Sequence, residues 1–82
     1  MDDAISARSE LDLLSLVLPV YNEEEVLPLL RERLEALASE LPCAVEWIFV
    51  NDGSSDRTSA MLFAWAAADE RVKVLEFSRN FG

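Results

Sequence analysis

Apolar residues fall into two kinds of stretch along this chain: runs that are apolar almost throughout, and segments in which they recur every third or fourth position. Leu13 to Val20 (Leu-Leu-Ser-Leu-Val-Leu-Pro-Val) is of the first kind, the pattern of a strand covered on both faces in a parallel sheet. Leu27, Leu30, Leu34, Leu37 and Leu41 follow at alternating steps of three and four, with Arg31, Glu32, Arg33 and Glu35 on the other side. That spacing predicts an amphipathic helix with one leucine face. Pro28 is tolerated only in a first turn, where its missing N–H has no intrahelical acceptor, so the helix is expected to begin near Glu25 and to end at Pro42. Glu23, Glu24 and Glu25 then lie at or just before the positive end of its dipole, where a carboxylate gains roughly 0.3 to 1 kcal/mol. Helix-end electrostatics is the simpler account of Glu24 and Glu25.

Val45 to Val50 is a second apolar, β-rich run, and it leads into the turn-forming Asn51-Asp52-Gly53-Ser54-Ser55-Asp56. Asp56 is placed to cap a second helix from Arg57 to about Asp69, and Val72 to Phe77 reads as a third strand. The order strand, helix, strand, helix, strand, with crossovers long enough for parallel pairing, predicts an α/β fold of three parallel strands with two helices, half of a doubly wound sheet. Ligands bind such sheets at the carboxyl ends of the strands. Here those junctions are Pro19 to Glu25, Asn51 to Asp56 and Ser78 to Gly82. In this topology the first strand should be central, but in this chain it is expected to lack its outer neighbour, and the second helix carries Met61, Leu62, Phe63 and Trp65 among alanines. Self-association through that open edge or that helix is therefore expected.

Composition narrows the class of partner. Sixteen acidic residues against seven basic give a net charge of -9 with no histidine, which disfavours nucleic acid and anionic membrane surfaces. A phosphate-bearing ligand then needs local help from backbone N–H groups, an arginine or a divalent cation. Cys43 is the only cysteine, so no intramolecular disulfide forms, and a buried, inert thiol in a reducing, cytoplasmic setting is expected. No apolar run reaches the roughly 20 residues of a membrane helix. Residues 1 to 10 are polar and acidic and read as a disordered leader.

Polar groups follow all three strands: Tyr21, Asn22 and Glu23; Asp52, Ser54 and Asp56; Ser78, Arg79 and Asn80. A carboxylate such as Asp52 at a strand end accepts a hydrogen bond from a base N–H, and Tyr21 offers an aromatic face or a hydroxyl. The glycine-rich phosphate cradles of dinucleotide-binding folds and phosphate loops are absent from the sequence, which disfavours hydride transfer and ATP hydrolysis. Gly53 and Ser54 are read as shaping their loop rather than touching a ligand.

Leu16-Val17-Leu18-Pro19-Val20-Tyr21-Asn22-Glu23-Glu24, Val50-Asn51-Asp52-Gly53-Ser54-Ser55-Asp56-Arg57-Thr58 and Ser78-Arg79-Asn80-Phe81-Gly82 together resemble the opening of family 2 glycosyltransferases. The ending is similar to that of the polyprenyl-phosphate (dolichyl-phosphate-type) branch. The resemblance covers the chain from about Leu13 onward and implies the GT-A fold, of which residues 11 to 82 form a partial, Rossmann-like nucleotide-binding domain. It implies that Pro19, Tyr21 and Glu23 line the nucleotide pocket, that Val50 packs beside the base and that Asp52 reads its N–H edge. It further implies a nucleotide-diphosphate sugar as donor, an acceptor such as a polyprenyl phosphate, and a divalent cation, magnesium or manganese. The family's Asp-x-Asp metal segment and catalytic carboxylate are expected beyond Gly82, as are any membrane-anchoring segments, so the isolated chain is expected to be inactive. Two other readings compete: a non-catalytic nucleotide-binding or self-assembling βαβ module, and, more weakly, a phosphoacceptor domain using Asp52.

Overall fold

The structure is a computed structural model that describes residues 13–77. The leader read at residues 1 to 10 and the third junction, Ser78 to Gly82, lie outside the described residues. Three strands alternate with two helices: β1 (Leu13–Val20), α1 (Leu27–Glu40), β2 (Ala44–Asp52), α2 (Thr58–Ala68) and β3 (Val72–Phe77). The sheet order is β1-β2-β3, and both pairs are parallel.

Register decides which side chains share a face. Leu14, Leu16, Leu18 and Val20 of β1 stand beside Val45, Trp47, Phe49 and Asn51 of β2. Trp47, Phe49 and Asn51 in turn stand beside Val72, Val74 and Glu76 of β3. This face meets Leu27 and Leu34 of α1 and Leu62 and Trp65 of α2, and together they make the core. Trp47, Phe49 and Leu62 are fully buried, and the rings of Phe49 and Trp65 meet at 5.1 Å. The Arg31 guanidinium sits 5.3 Å from the Trp65 ring centre, so α1 closes over α2 with a cation on an aromatic face.

The opposite face is bare among the described residues, which corrects the expectation that β1 is covered on both sides. Val17 of β1 is 62% exposed, and Leu75 and Phe77 of β3 are about half exposed. The physical reason is topological. The two crossovers have the same hand and step in the same direction across the sheet, so both helices land on one side. Only one neighbour of β1, the strand β2, lies among the described residues, as expected for its open edge.

The helices differ in detail from the sequence expectation. α1 starts at Leu27, two residues later than expected, with Pro28 in its opening turn as its chemistry demands. Glu23 to Glu25 form a preceding turn in which the Glu23 carbonyl accepts the N–H groups of Val26 and Leu27. The buried side of α1 is Leu27 and Leu34 with Leu30, Ala38 and Leu41 partly buried, while Leu37 is exposed. At 3.6 residues per turn, strict steps of three and four drift off the contact line, and Ala38 falls nearer its centre than Leu37. In α2, Leu62 and Trp65 point inward and Phe63 is exposed. Cys43 is half-buried between α1 and β2 rather than buried, and its thiol is free. Asp69 closes α2: its carboxylate accepts from the backbone and guanidinium of Arg71, the nearest contact being 2.6 Å. Those hydrogen bonds from Arg71, and its positive charge, outweigh burial and hold the Asp69 carboxyl below the usual range.

Candidate functional site

The β1–β2 register runs from Leu13 beside Ala44 to Val20 beside Asn51. Pro19 therefore lies beside Val50, and Tyr21 and Asp52 are each the next residue after the last pair. Strand alternation puts Pro19, Val50 and Asp52 on the bare face, opposite the core side chain of Asn51. Asp52 still belongs to β2 and stands beside Phe77. Tyr21 and Asp52 are both exposed. Four of the five residues expected to line a nucleotide pocket are thus gathered at the carboxyl ends of two adjacent strands.

Glu23 is set apart from these four. Its N–H donates to Thr58 Oγ1 at 2.8 Å, which ties its backbone to the start of α2. It borders a hollow of about 430 Å³ with Asn22, Glu24, Glu25, Val26 and Asp56, and none of the other four candidates lines that hollow.

The first two junctions are stitched together. Asn22 has φ 51, a left-handed conformation that asparagine tolerates better than most residues. Its Oδ1 accepts from the N–H groups of Ser55 and Asp56 at 2.8 and 3.3 Å, and its own N–H donates to Ser54 Oγ at 2.9 Å. Ser54 Oγ donates to Asn51 Oδ1, and Asn51 Nδ2 donates to Ser59 Oγ at 2.6 Å and to both Glu76 oxygens at 3.0 and 3.1 Å. Ser59 Oγ donates to Glu76 at 2.7 Å. One hydrogen-bonded path therefore runs from the end of β1 through the β2 junction to β3, with the fully buried Asn51 at its centre. Gly53, at φ 70, supplies the turn that sequence reading assigned to it.

A second set of bonds occupies the amino end of α2. α2 begins at Thr58, one residue later than expected, with Arg57 rather than Asp56 at the N-cap; Asp56, one residue before it, still accepts from Thr58 N–H through Oδ1 at 2.8 Å, and its Oδ2 accepts from Glu24 N–H. Burial pushes the Asp56 carboxyl up, but hydrogen bonds from Thr58, Glu24 and its own backbone more than offset this and hold it below the usual carboxylate range. Glu24 Oε1 accepts from Arg57 N–H at 2.9 Å. Glu24 is thus a helix-end carboxylate, but for α2 rather than for α1 as its position in the chain suggested. Two N–H groups at this helix amino end, those of Arg57 and Thr58, are thus engaged by the chain's own carboxylates.

Among the described residues no three histidine, cysteine, aspartate or glutamate side chains form a group able to hold a metal ion. Residues 13–77 therefore hold no ligand set for the divalent cation implied by the resemblance. Among the same residues no helix is long and apolar enough to cross a membrane.

Asn22, Asn51, Ser59 and Glu76 went unassigned in the sequence reading. Asn51 and Glu76 were detectable by phase alone, since period-two counting from Trp47 and Phe49, and from Val72 and Val74, puts both on the core face. Ser78, Arg79 and Asn80, the polar groups of the third junction, lie outside the described residues.

Comparison with known proteins gives the family to which the chain is similar. Residues 15–82 match the profile of Glycosyl transferase family 2. The chain is 44% identical over 69 residues to the bactoprenol glucosyl transferase of Shigella phage SfX, covering 84% of this chain and 23% of that protein. It is 47% identical over 73 residues to an undecaprenyl-phosphate 4-deoxy-4-formamido-L-arabinose transferase of Pseudomonas aeruginosa (strain LESB58), covering 88% and 22%. An uncharacterized glycosyltransferase, YkcC, of Bacillus subtilis (strain 168) is 46% identical over 68 residues, covering 83% and 21%. The chain spans about a fifth of the length of the curated relatives it matches.

Proposed function

The chain belongs to glycosyl transferase family 2, and on that premise we propose that its rim binds the nucleotide of a nucleotide-diphosphate sugar, the donor that the whole protein uses to glycosylate a polyprenyl phosphate. The acceptor class is taken from the printed names of the bactoprenol and undecaprenyl-phosphate relatives. The observation that carries the reading is the register that sets Pro19 beside Val50 and brings Tyr21 and Asp52 out of adjacent strands at one level.

The chemistry of each group suits one part of a nucleotide. Pro19 and Val50 offer an apolar floor against which a base loses water, Tyr21 an aromatic face or a hydroxyl, and Asp52 a carboxylate that accepts from a base N–H. Glu23, its backbone tied to the start of α2, borders a separate hollow and is not joined to the other four by the geometry. The metal, magnesium or manganese, and the catalytic carboxylate belong to parts of the whole protein outside residues 13–77. A cytoplasmic location, at the membrane where a lipid-phosphate acceptor resides, goes with this reading.

Calorimetric titration of uridine and guanosine diphosphates into the 82-residue chain and into its Asp52→Ala variant tests the proposal. Binding by the wild type that is lost on substitution is expected. Equal binding by both proteins removes Asp52 from the site, and no binding by either favours the assembly reading.

That second reading has an observation of its own. The bare sheet face carries exposed Leu13, Val17, Leu75 and Phe77 beside the open edge of β1, surface of the kind that pairs with another copy. Light scattering at increasing concentration decides whether copies of the segment associate.

A further inference from the structure

We infer that Asn22 is a positioning residue for the nucleotide site, the tie that fixes the strand end bearing Tyr21 against the strand end bearing Asp52. The inference rests on the nucleotide-binding reading above and adds to it a residue whose side-chain acceptor is turned to the protein rather than to a ligand. Tyr21 immediately precedes Asn22, and Asp52 stands two residues before Ser54. The bonds that Asn22 Oδ1 accepts from the Ser55 and Asp56 N–H groups, and the one that Asn22 N–H donates to Ser54 Oγ, therefore act at the residue after Tyr21 and two to four residues after Asp52.

The path continues through Ser54 and the buried Asn51 to Glu76, so the tie is anchored in the sheet rather than in a loop. A base caught between two independently moving loops has to order both on binding, and affinity falls by that cost. Two loops held at one spacing present the site already formed.

The residue type fits this task closely. The left-handed φ of 51 restricts the position to glycine, asparagine or aspartate at little strain. Of these, asparagine and aspartate carry an oxygen that can accept two backbone N–H groups. Glycine keeps the backbone path and the N–H bond to Ser54 and removes the two side-chain bonds of the tie, whereas aspartate keeps both sets.

The experiment compares the full 82-residue chain with Asn22→Gly, Asn22→Asp and Asp52→Ala by titration with uridine and guanosine diphosphates, alongside hydrogen exchange of the Ser55 and Asp56 amides. Asn22→Gly is expected to keep its circular dichroism, to release both amides to faster exchange and to bind about tenfold more weakly. Asn22→Asp is expected to restore protection and affinity together. If the amides are released and affinity is unchanged, or if they stay protected, the inference is overturned while the nucleotide reading stands. If the wild type binds neither nucleotide, the nucleotide reading falls and the positioning role falls with it. Should Asn22→Gly fail to fold, Asn22→Asp alone decides: wild-type affinity with protected amides supports the tie, and a tenfold loss in a folded protein overturns it.

Discussion

The substitution Asn51→Asp changes one amide nitrogen to oxygen at the centre of the buried path, and the structure makes its cost calculable. The amide donates to Glu76 at 3.0 and 3.1 Å and to Ser59 at 2.6 Å, inside a residue with no exposed surface. Losing a hydrogen bond to a charged group costs about 1.5 to 3 kcal/mol. Two like charges ~3 Å apart add about 1.4 kcal/mol in water-like surroundings, the appropriate limit because Glu76 is exposed. A destabilisation of about 3 to 4 kcal/mol follows, equivalent to a fall in Tm of roughly 12 to 32 °C for a domain of this size.

The sign with pH is fixed by the same contacts. The introduced carboxyl ionises less readily when folded beside Glu76 than when unfolded, so the folded state binds more protons. The penalty is therefore absent below the unfolded carboxyl value of about 3.9 and grows as pH rises above it. Asn51→Leu, which has similar volume and no charge, should cost about 1 to 2 kcal/mol with no such pH dependence. Urea unfolding followed by circular dichroism near neutral pH and near pH ~4 measures both. If Asn51→Asp lies within about 1 kcal/mol of wild type at neutral pH, or if its deficit is the same at both pH values, the Asn51 amide does not anchor the path.

Three further outcomes are expected. Asp56 and Asp69 both have carboxyls held below their ordinary values, so their contributions are present above the unfolded value of about 3.9, start to fall there and are lost as pH drops through the lower folded values; Asp69→Asn should flatten the acid limb of a stability–pH curve. Leu62→Ala removes a fully buried core side chain and should cost about 2 to 5 kcal/mol in chemical denaturation. Val17→Lys, on the bare face, should change stability by no more than about 0.5 kcal/mol while lowering any association seen by light scattering; undiminished association would place the contact elsewhere.

Much of the fold was legible because it rests on periodicity. The apolar run from Leu13, the repeating leucines and the β-rich run from Val45 each became the element their spacing predicts. β1 shows where the method stops, since an apolar run says that both faces want cover but not which cover lies nearby. Glu24 shows another limit: proximity in sequence assigned it to α1, and the fold carried its carboxylate to α2. The stitching of the two junctions was hidden for the same reason. Asn22 and Ser55 are 33 residues apart, and only the parallel register brings them together. Asp52 and Tyr21 were singled out from the sequence because strand ends in this topology are where ligands meet the sheet, and the register brings the two to one level.

The placement of the aromatic residues also equips the molecule with two separate optical probes. Both tryptophans are shut inside the helix-facing layer, whereas the chain's single tyrosine stands on the rim. Indole emission will therefore follow global unfolding and stay nearly silent to occupancy of the rim. Tyrosine absorbance will do the opposite, so a difference spectrum in the phenol band can report binding without any label, while the indole band certifies that the protein stayed folded throughout.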